Sequence, residues 1–121
     1  MTQKKTPPRS PEDEYIDSAI LHLKLLNERD RRGSNAAHDR LIRAIAEIRK
    51  QNDRGRSFLL GNLTHPDENV RLWSAAHLLP LEERLALAEL KRLEKDAKSW
   101  VVSLNADVTA TEWRKGSLNI D

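Results

Sequence analysis

Apolar residues recur every three or four positions along most of the chain, which is the spacing of one face of an α-helix. The first such stripe consists of Tyr15, Ile16, Ala19, Ile20, Leu23 and Leu26. The second consists of Ala37, Leu41, Ala44, Ile45 and Ile48. Both stretches are therefore predicted to be amphipathic helices separated by a turn at Gly33.

Capping residues and prolines set the helix boundaries. Ser10 followed by Pro11 offers a capping hydroxyl and a proline at the first helical position, so the first helix is predicted over residues 10–30. The second helix is predicted to begin at Ser34 or the residue after it and to end before Asn52.

Three more helices are predicted between Gly55 and residue 96. A short one ends at Leu63, because the proline that follows drives its preceding residue out of the helical region. The next is predicted over residues 67–79, where another proline closes it. The last, over residues 81–96, carries apolar residues on two sectors and is expected to contact neighbours on two sides.

The C-terminal part is less regular. Residues 100–104 are rich in aromatic and β-branched residues, but no second strand candidate exists to pair with them, so an extended segment lying over the helices is predicted. Thr109 and Glu112 have the spacing of a capping box, which predicts a short final helix through Trp113 that stops at Gly116.

Composition favours an all-α fold. Leu and Ala account for 30 of the 46 hydrophobic residues and Ile and Val for only 10, so good helix formers dominate. A chain of 121 residues fits one domain. Residues 1–9 are polar with two adjacent prolines and are predicted to be a disordered tail, which leaves residues 10–121 as the folded domain.

Candidate catalytic chemistry is largely missing from the sequence. There is no Cys, and the four glycines stand apart, so no thiolate site and no glycine-rich phosphate loop is predicted. The histidines are never three or four residues apart, which gives no helical metal motif: His22, His38, His65 and His77. We therefore predict no catalytic residues, no metal site and no cofactor, and a protein that is not an enzyme.

Charge is nearly balanced, with a formal net charge of +2. Residues 34–63 carry six basic and three acidic side chains, and residues 64–96 carry five basic and seven acidic ones. These regions are either solvated helix faces or a charged contact surface, and so small a net charge does not favour a nucleic-acid partner. Apolar runs are far too short for a membrane span or a signal peptide, so a cytoplasmic location without membrane contact is predicted.

Several apolar and aromatic residues have two interpretations. Leu21 and Leu25 lie off the main stripe of the first helix, so they either pack against a second layer or mediate self-association. His77 is expected to lie in the core, with a pH-sensing or ligand role as the alternative. The three tryptophans are expected to be core or clamp residues. Trp113, close to the end of the chain, is the tryptophan that best fits a partner anchor.

Residues 59–79, LLGNLTHPDENVRLWSAAHLL, resemble one HEAT-type repeat, in which a turn with Pro and Asp precedes a helix that begins Val-Arg. Together with residues 111–116, TEWRKG, they are similar to a family of small bacterial HEAT-like proteins of unassigned activity. Some helical-repeat proteins of this size resemble immunity proteins, which bind and neutralise a toxin secreted by neighbouring cells.

The resemblance implies a single-domain stack of antiparallel hairpins with five main helices and a short C-terminal one. Such a stack presents side chains that can vary without touching the core. The implied function is an immunity protein that binds a cognate protein toxin or effector. Alternatives are a nucleic-acid-binding helical-repeat protein using residues 40–56 and a regulatory or scaffold subunit of a helical assembly. The predicted partner-binding residues are Arg40, Arg43, Glu47, Glu68, Arg71, Leu72 and Trp113.

Overall fold

The computed structural model describes residues 9–118, and this part of the chain is entirely helical apart from turns. It contains a 3-10 turn at Asn62–Thr64 and six α-helices: α1 (Pro11–Asn27), α2 (Arg31–Arg49), α3 (Asp53–Gly61), α4 (Glu68–Leu78), α5 (Glu83–Asp96) and α6 (Trp100–Lys115). The predicted all-α class is confirmed. Over the described range, no helix is both long enough and apolar enough to cross a membrane.

Two of the predicted helix starts are confirmed by their capping bonds. The Ser10 hydroxyl accepts a hydrogen bond from the backbone N–H of Asp13 at 3.1 Å, and Pro11 occupies the first helical position. The Asp67 carboxylate accepts from the backbone N–H groups of Asn69 and Val70, both at 2.9 Å. Each cap satisfies backbone donors that have no partner inside the helix.

The turn between α1 and α2 is tighter than predicted. Asp30, and not Ser34, caps α2 by accepting from the backbone N–H of Gly33 at 2.8 Å. Gly33 therefore lies in the first turn of α2, and the reversal occurs at Arg29, whose φ is 59°. Both Asp and Ser are good capping residues, so the sequence alone did not distinguish them.

The prediction of an extended segment at residues 100–104 is wrong. These residues form the start of α6, where the Ser99 hydroxyl accepts from the backbone N–H of Val102 at 3.3 Å. Thr109 lies inside the helix and does not cap one. Gly116 ends α6 in the left-handed region, at φ 75°, as predicted. The final helix is thus 16 residues long, and six helices replace the expected five plus a short one.

The core is centred on α4, which packs against α1, α3, α5 and α6. Eight of its eleven residues are buried. α1 packs against α2, and α5 packs against α6, so each pair forms a helical hairpin around the central helix. At the α1–α4 contact the hydroxyl of Tyr15 and Nδ1 of His77 share a hydrogen bond of 2.7 Å, and both side chains are buried, as expected for His77.

The predicted N-terminal tail is described only at its last residue. Arg9 forms ion pairs with Glu14, at 3.4 Å, and with Asp17. The other eight residues of that prediction, 1–8, lie outside the described residues, as do residues 119–121.

Candidate protein-docking surface

Three of the predicted partner-binding residues lie together on α2. Arg40 donates from Nε to Oε1 of Glu14 at 2.5 Å, which ties α2 to α1. Arg43 is exposed one turn further along, and Glu47 accepts from Lys50 at 3.1 Å. All three line one shallow cavity of about 210 Å³ next to Glu14.

Glu14 reports on the electrostatics of this region. The hydrogen bond from Arg40 lowers the pKa of the Glu14 carboxyl. Partial burial opposes this shift, and the positive charges of Arg40, Arg9 and Arg43 add to it, so the pKa lies below its ordinary value of 4.5. The folded protein therefore keeps this carboxylate ionised more strongly than the unfolded chain does. Its stabilising contribution is present above pH 4.5 and is lost as the pH falls through the lowered folded-state pKa.

Replacing Glu14 by Gln should therefore make stability less sensitive to acid. We expect the thermal midpoint of Glu14→Gln to decline less than that of the wild type from pH 5 to about pH 3. The substitution removes a carboxyl group that takes up a proton on unfolding in this pH range. Melts recorded by circular dichroism at half-unit pH intervals measure this. Glu28→Gln, at the exposed end of α1, controls for loss of one negative charge. Parallel curves for wild type and Glu14→Gln would contradict the assignment.

Two other predicted residues make contacts inside the chain. The Glu68 carboxylate accepts hydrogen bonds from the backbone N–H groups of Lys98 and Ser99, at 2.5 and 3.1 Å, and so caps the start of α6. Arg71 donates from Nη1 to the carbonyl of His65 at 2.6 Å, and its Nε lies 3.4 Å from Glu89. Both side chains hold neighbouring loops and helices in place.

The placement of Leu72 on an exposed face is wrong, because its side chain belongs to the core and only 5% of its surface is exposed. α4 has helices on several sides, so little of it faces solvent.

Trp113 is half-buried against the core and donates from Nε1 to Glu83 at 2.7 Å, which links α6 to α5. Leu21 and Leu25 are also half-buried, which favours the second-layer interpretation of these residues.

A different surface carries three of the seven large exposed apolar residues in the described part of the chain. Trp100, Leu104 and Val108 lie on α6 at intervals of four residues, and their exposed fractions are 74%, 50% and 47%. The expected core position of Trp100 is therefore wrong. We call these three residues the outer face of α6. Residues spaced by four form one continuous stripe along a helix. The stripe is about 12 Å long, a little over two turns of helix.

The outer face lies opposite the buried side of the same helix. Val102, Ala106 and Ala110 face the core and are almost completely buried. A rotation of 100° per residue separates Leu104 from Ala106 by about 160° around the helix axis. α6 is thus apolar on two opposite sides, and only one of them is covered within the described part of the chain. An ordinary surface helix has a single apolar side.

Charged residues border this face. Asp107 and Lys115 are both exposed, and their helical positions place Asp107 along one edge and Lys115 at the C-terminal end. An apolar centre containing an aromatic residue with charged groups at its rim is the usual composition of a protein–protein interface. The arrangement offers contact area and orientation. The outer face of α6 and the charged residues at its rim include no nucleophile next to a general base.

An open cleft of about 600 Å³ lies where the end of α2 meets the start of α3 and the α4–α5 connection. Ile48, Leu59 and Leu81 supply apolar lining, and Arg56 lies at the rim. Arg56 donates from Nε to Glu82 at 2.7 Å, so this cation already serves an internal ion pair. The cleft has room for a small molecule, but the side chains that line it do not form a nucleophile–base pair or another catalytic arrangement.

Sequence reasoning missed the outer face of α6 because residues 100–104 were predicted to be extended. The signal that could have found it is Ser99, a good capping residue, directly before three apolar residues spaced by four. Comparison with protein-family models, curated proteins and solved structures finds no match for the chain.

Proposed function

We propose that this chain is a non-enzymatic protein-binding module that docks on a protein partner through the outer face of α6. The observation that carries the proposal is the exposure of Trp100, Leu104 and Val108 on the side of α6 opposite its buried stripe. Clustered large apolar side chains at a surface mark interaction sites more often than isolated ones do. Tryptophan is also the residue most enriched among those that dominate binding energy.

The geometry of the face suits a groove on the partner. Anchors at three successive turns of one helix are how amphipathic helices insert into hydrophobic grooves. Trp100 is the largest of the three and the most exposed, so it supplies the main anchor of this proposal, at the N-terminal end of the face. Asp107 and Lys115 at the rim would set the register of docking through charge pairing.

The partner we propose is a cognate protein toxin or effector, which makes the chain an immunity protein acting in the cytoplasm. In support, the resemblance of residues 59–79 to a HEAT-type repeat fits a stack of helical hairpins, and the hairpins α1–α2 and α5–α6 flank α4. In such a scaffold the outer face of α6 can change in sequence without disturbing the core, as discrimination among related toxins requires.

The proposal is tested with the product of the gene next to this one in its source genome. We expect co-expression of this chain to relieve growth inhibition by that product, and Trp100→Ala to weaken the purified complex by about 30-fold, a typical loss for a tryptophan anchor. Leu104→Ser should weaken it by about tenfold. Calorimetry measures both, and circular dichroism checks that each variant keeps its helix content.

The matched control is Leu85→Ser, since Leu85 is 45% exposed on α5 and is not part of the outer face. It should change affinity by less than about threefold, as a surface substitution away from the interface does. Equal losses for Leu85→Ser and Leu104→Ser would refute the proposed docking face. Binding to nucleic acid that falls steeply with salt, with no protein complex, would refute the proposed function in favour of the nucleic-acid alternative.

A further inference from the structure

A side-chain contact joins the α1–α2 hairpin to α4 through the ring of His22. The Asn69 side chain, on α4, is buried, and its Nδ2 group donates to the carbonyl of Ala19, on α1, at 2.7 Å. The same Nδ2 group lies 3.4 Å from Nδ1 of His22, three residues further along α1. An amide NH₂ group has two N–H donors, so Asn69 makes both contacts at once.

This arrangement fixes the form of His22 that the contact accepts. The Ala19 carbonyl can only accept a hydrogen bond, so the NH₂ group of Asn69 must face α1. That group can only donate, so Nδ1 of His22 is the acceptor and the ring proton lies on Nε2. The contact therefore requires the neutral ring.

Protonation of His22 would remove this acceptor. A charged imidazole carries a proton on both nitrogens, so its Nδ1–H would face the N–H donors of Asn69. Turning the Asn69 amide over would offer its oxygen to the ring, but it would also turn that oxygen towards the Ala19 carbonyl and break the bond there. Either outcome leaves a buried polar group without its partner, which is unfavourable.

The groups around the ring also favour its neutral form. The ring centroid of His38, on α2, lies 6.1 Å from that of His22, and the centroid of Trp73, on α4, lies 5.8 Å from it. Asn69 and Trp73 carry no charge, and burial, aided by the charge of His38, holds the pKa of His22 below its ordinary value of 6.5. A carboxylate oxygen of Asp39 lies 3.9 Å from Nδ1 of His38, so this acid is directed at the other histidine.

We propose that His22 is an acid-sensitive latch whose protonation loosens the docking of the α1–α2 hairpin on α4. When the hairpin is open, His22 binds a proton with its ordinary pKa of 6.5, and in the closed protein it does so only at lower pH. The latch therefore holds best above pH 6.5. As the pH falls further, it raises the open fraction by up to about tenfold per pH unit, the limit for one proton, until the closed form is protonated too.

Nitrogen chemical shifts of the histidine rings in the ¹⁵N-labelled full-length protein test the assignment directly. At pH 7.5 we expect His22 to show an unprotonated Nδ1 and a protonated Nε2, and its titration midpoint should lie below 6.5. A proton on Nδ1 at pH 7.5, or a midpoint at or above 6.5, would overturn the proposal.

Hydrogen exchange measures the opening itself. Between pH 7 and pH 5, protection factors, which correct for the intrinsic pH dependence of exchange, should fall at Ala19 and Leu41 in the hairpin relative to Ala106 and Ala110 in α6. All four residues are buried. His22→Asn should largely remove this fall, because the Asn oxygen can replace Nδ1 as the acceptor and takes up no proton.

His65→Asn is the matched control. His65 is a partly buried histidine outside the latch, and its Nδ1 accepts from the backbone N–H of Asp67 at 2.9 Å. This variant should show the same fall in protection as the wild type. The proposal fails if His22→Asn keeps the full pH dependence of the wild type. It also fails if the hairpin and α6 lose protection equally, because that result would indicate global unfolding.

Discussion

Replacing Gly55 by alanine is expected to destabilise the protein by about 2–3 kcal/mol, although alanine is the better helix former. A Cβ atom at position 55 would lie 2.2 Å from the backbone oxygen of Ile48 and 3.1 Å from its Cγ2. The neighbour is the backbone of α2, and Ile48 itself is fully buried, so neither atom can move aside cheaply. The close approach of α2 and α3 therefore requires glycine.

Gly61, in the same helix, gives the opposite expectation. A Cβ at Gly61 would have no atom within 4 Å, and its backbone is in the ordinary right-handed helical region. Gly61→Ala should therefore stabilise the protein by about 0.5–1 kcal/mol by restricting the unfolded chain. Urea unfolding followed by circular dichroism measures both variants. Equal effects of the two substitutions would show that α2 and α3 do not approach as closely as described.

Replacing Leu72 by alanine is expected to cost about 3 kcal/mol of stability, because it deletes a buried side chain from α4 at the centre of the fold. Leu104→Ala, by contrast, should change stability by less than about 0.5 kcal/mol, because half of the Leu104 side chain is already exposed. Chemical unfolding of both variants at the same pH provides the comparison.

The same pair separates core from surface roles. Any loss of partner binding in Leu72→Ala should disappear under conditions in which the variant is fully folded, whereas a loss in Leu104→Ala should persist. A stable, fully folded Leu72→Ala variant would contradict the burial of Leu72 and would return that residue to the candidate docking residues.

The sequence was informative where local signals agreed with each other. Ser10, Pro11 and Asp67 placed two helix starts within a residue, because a cap satisfies backbone donors of its own helix and needs no distant partner. The apolar stripe of α2 was also correct, since Ala37 and Ile48 mark the buried face at both ends.

Prediction was wrong where a contact between distant segments decides the structure. The aromatic and β-branched residues at 100–104 have weak helix propensity, and tertiary contacts readily override a preference of that size. Glu68, about 30 residues earlier in the chain, accepts hydrogen bonds from the backbone N–H groups of Lys98 and Ser99, directly before α6. No local pattern reveals such a bond. Two apolar sides of α6 could have been recognised only after the segment was assigned as a helix.

The candidate site was harder to predict than the fold. Exposure depends on which side of each helix its neighbours cover, and α4 is covered on several sides, so the outward position expected for Leu72 does not exist.

The bond between Glu68 and the start of α6 has a kinetic consequence. The Glu68 carboxylate accepts from the Ser99 N–H within the chain itself, so the turn that carries Trp100 is held in place without a partner. A protein partner of the kind proposed would then meet a helix that is already formed, so its association should fall in the ordinary range of about 10⁵–10⁷ M⁻¹s⁻¹. Differences among related partners would consequently appear in the lifetimes of their complexes.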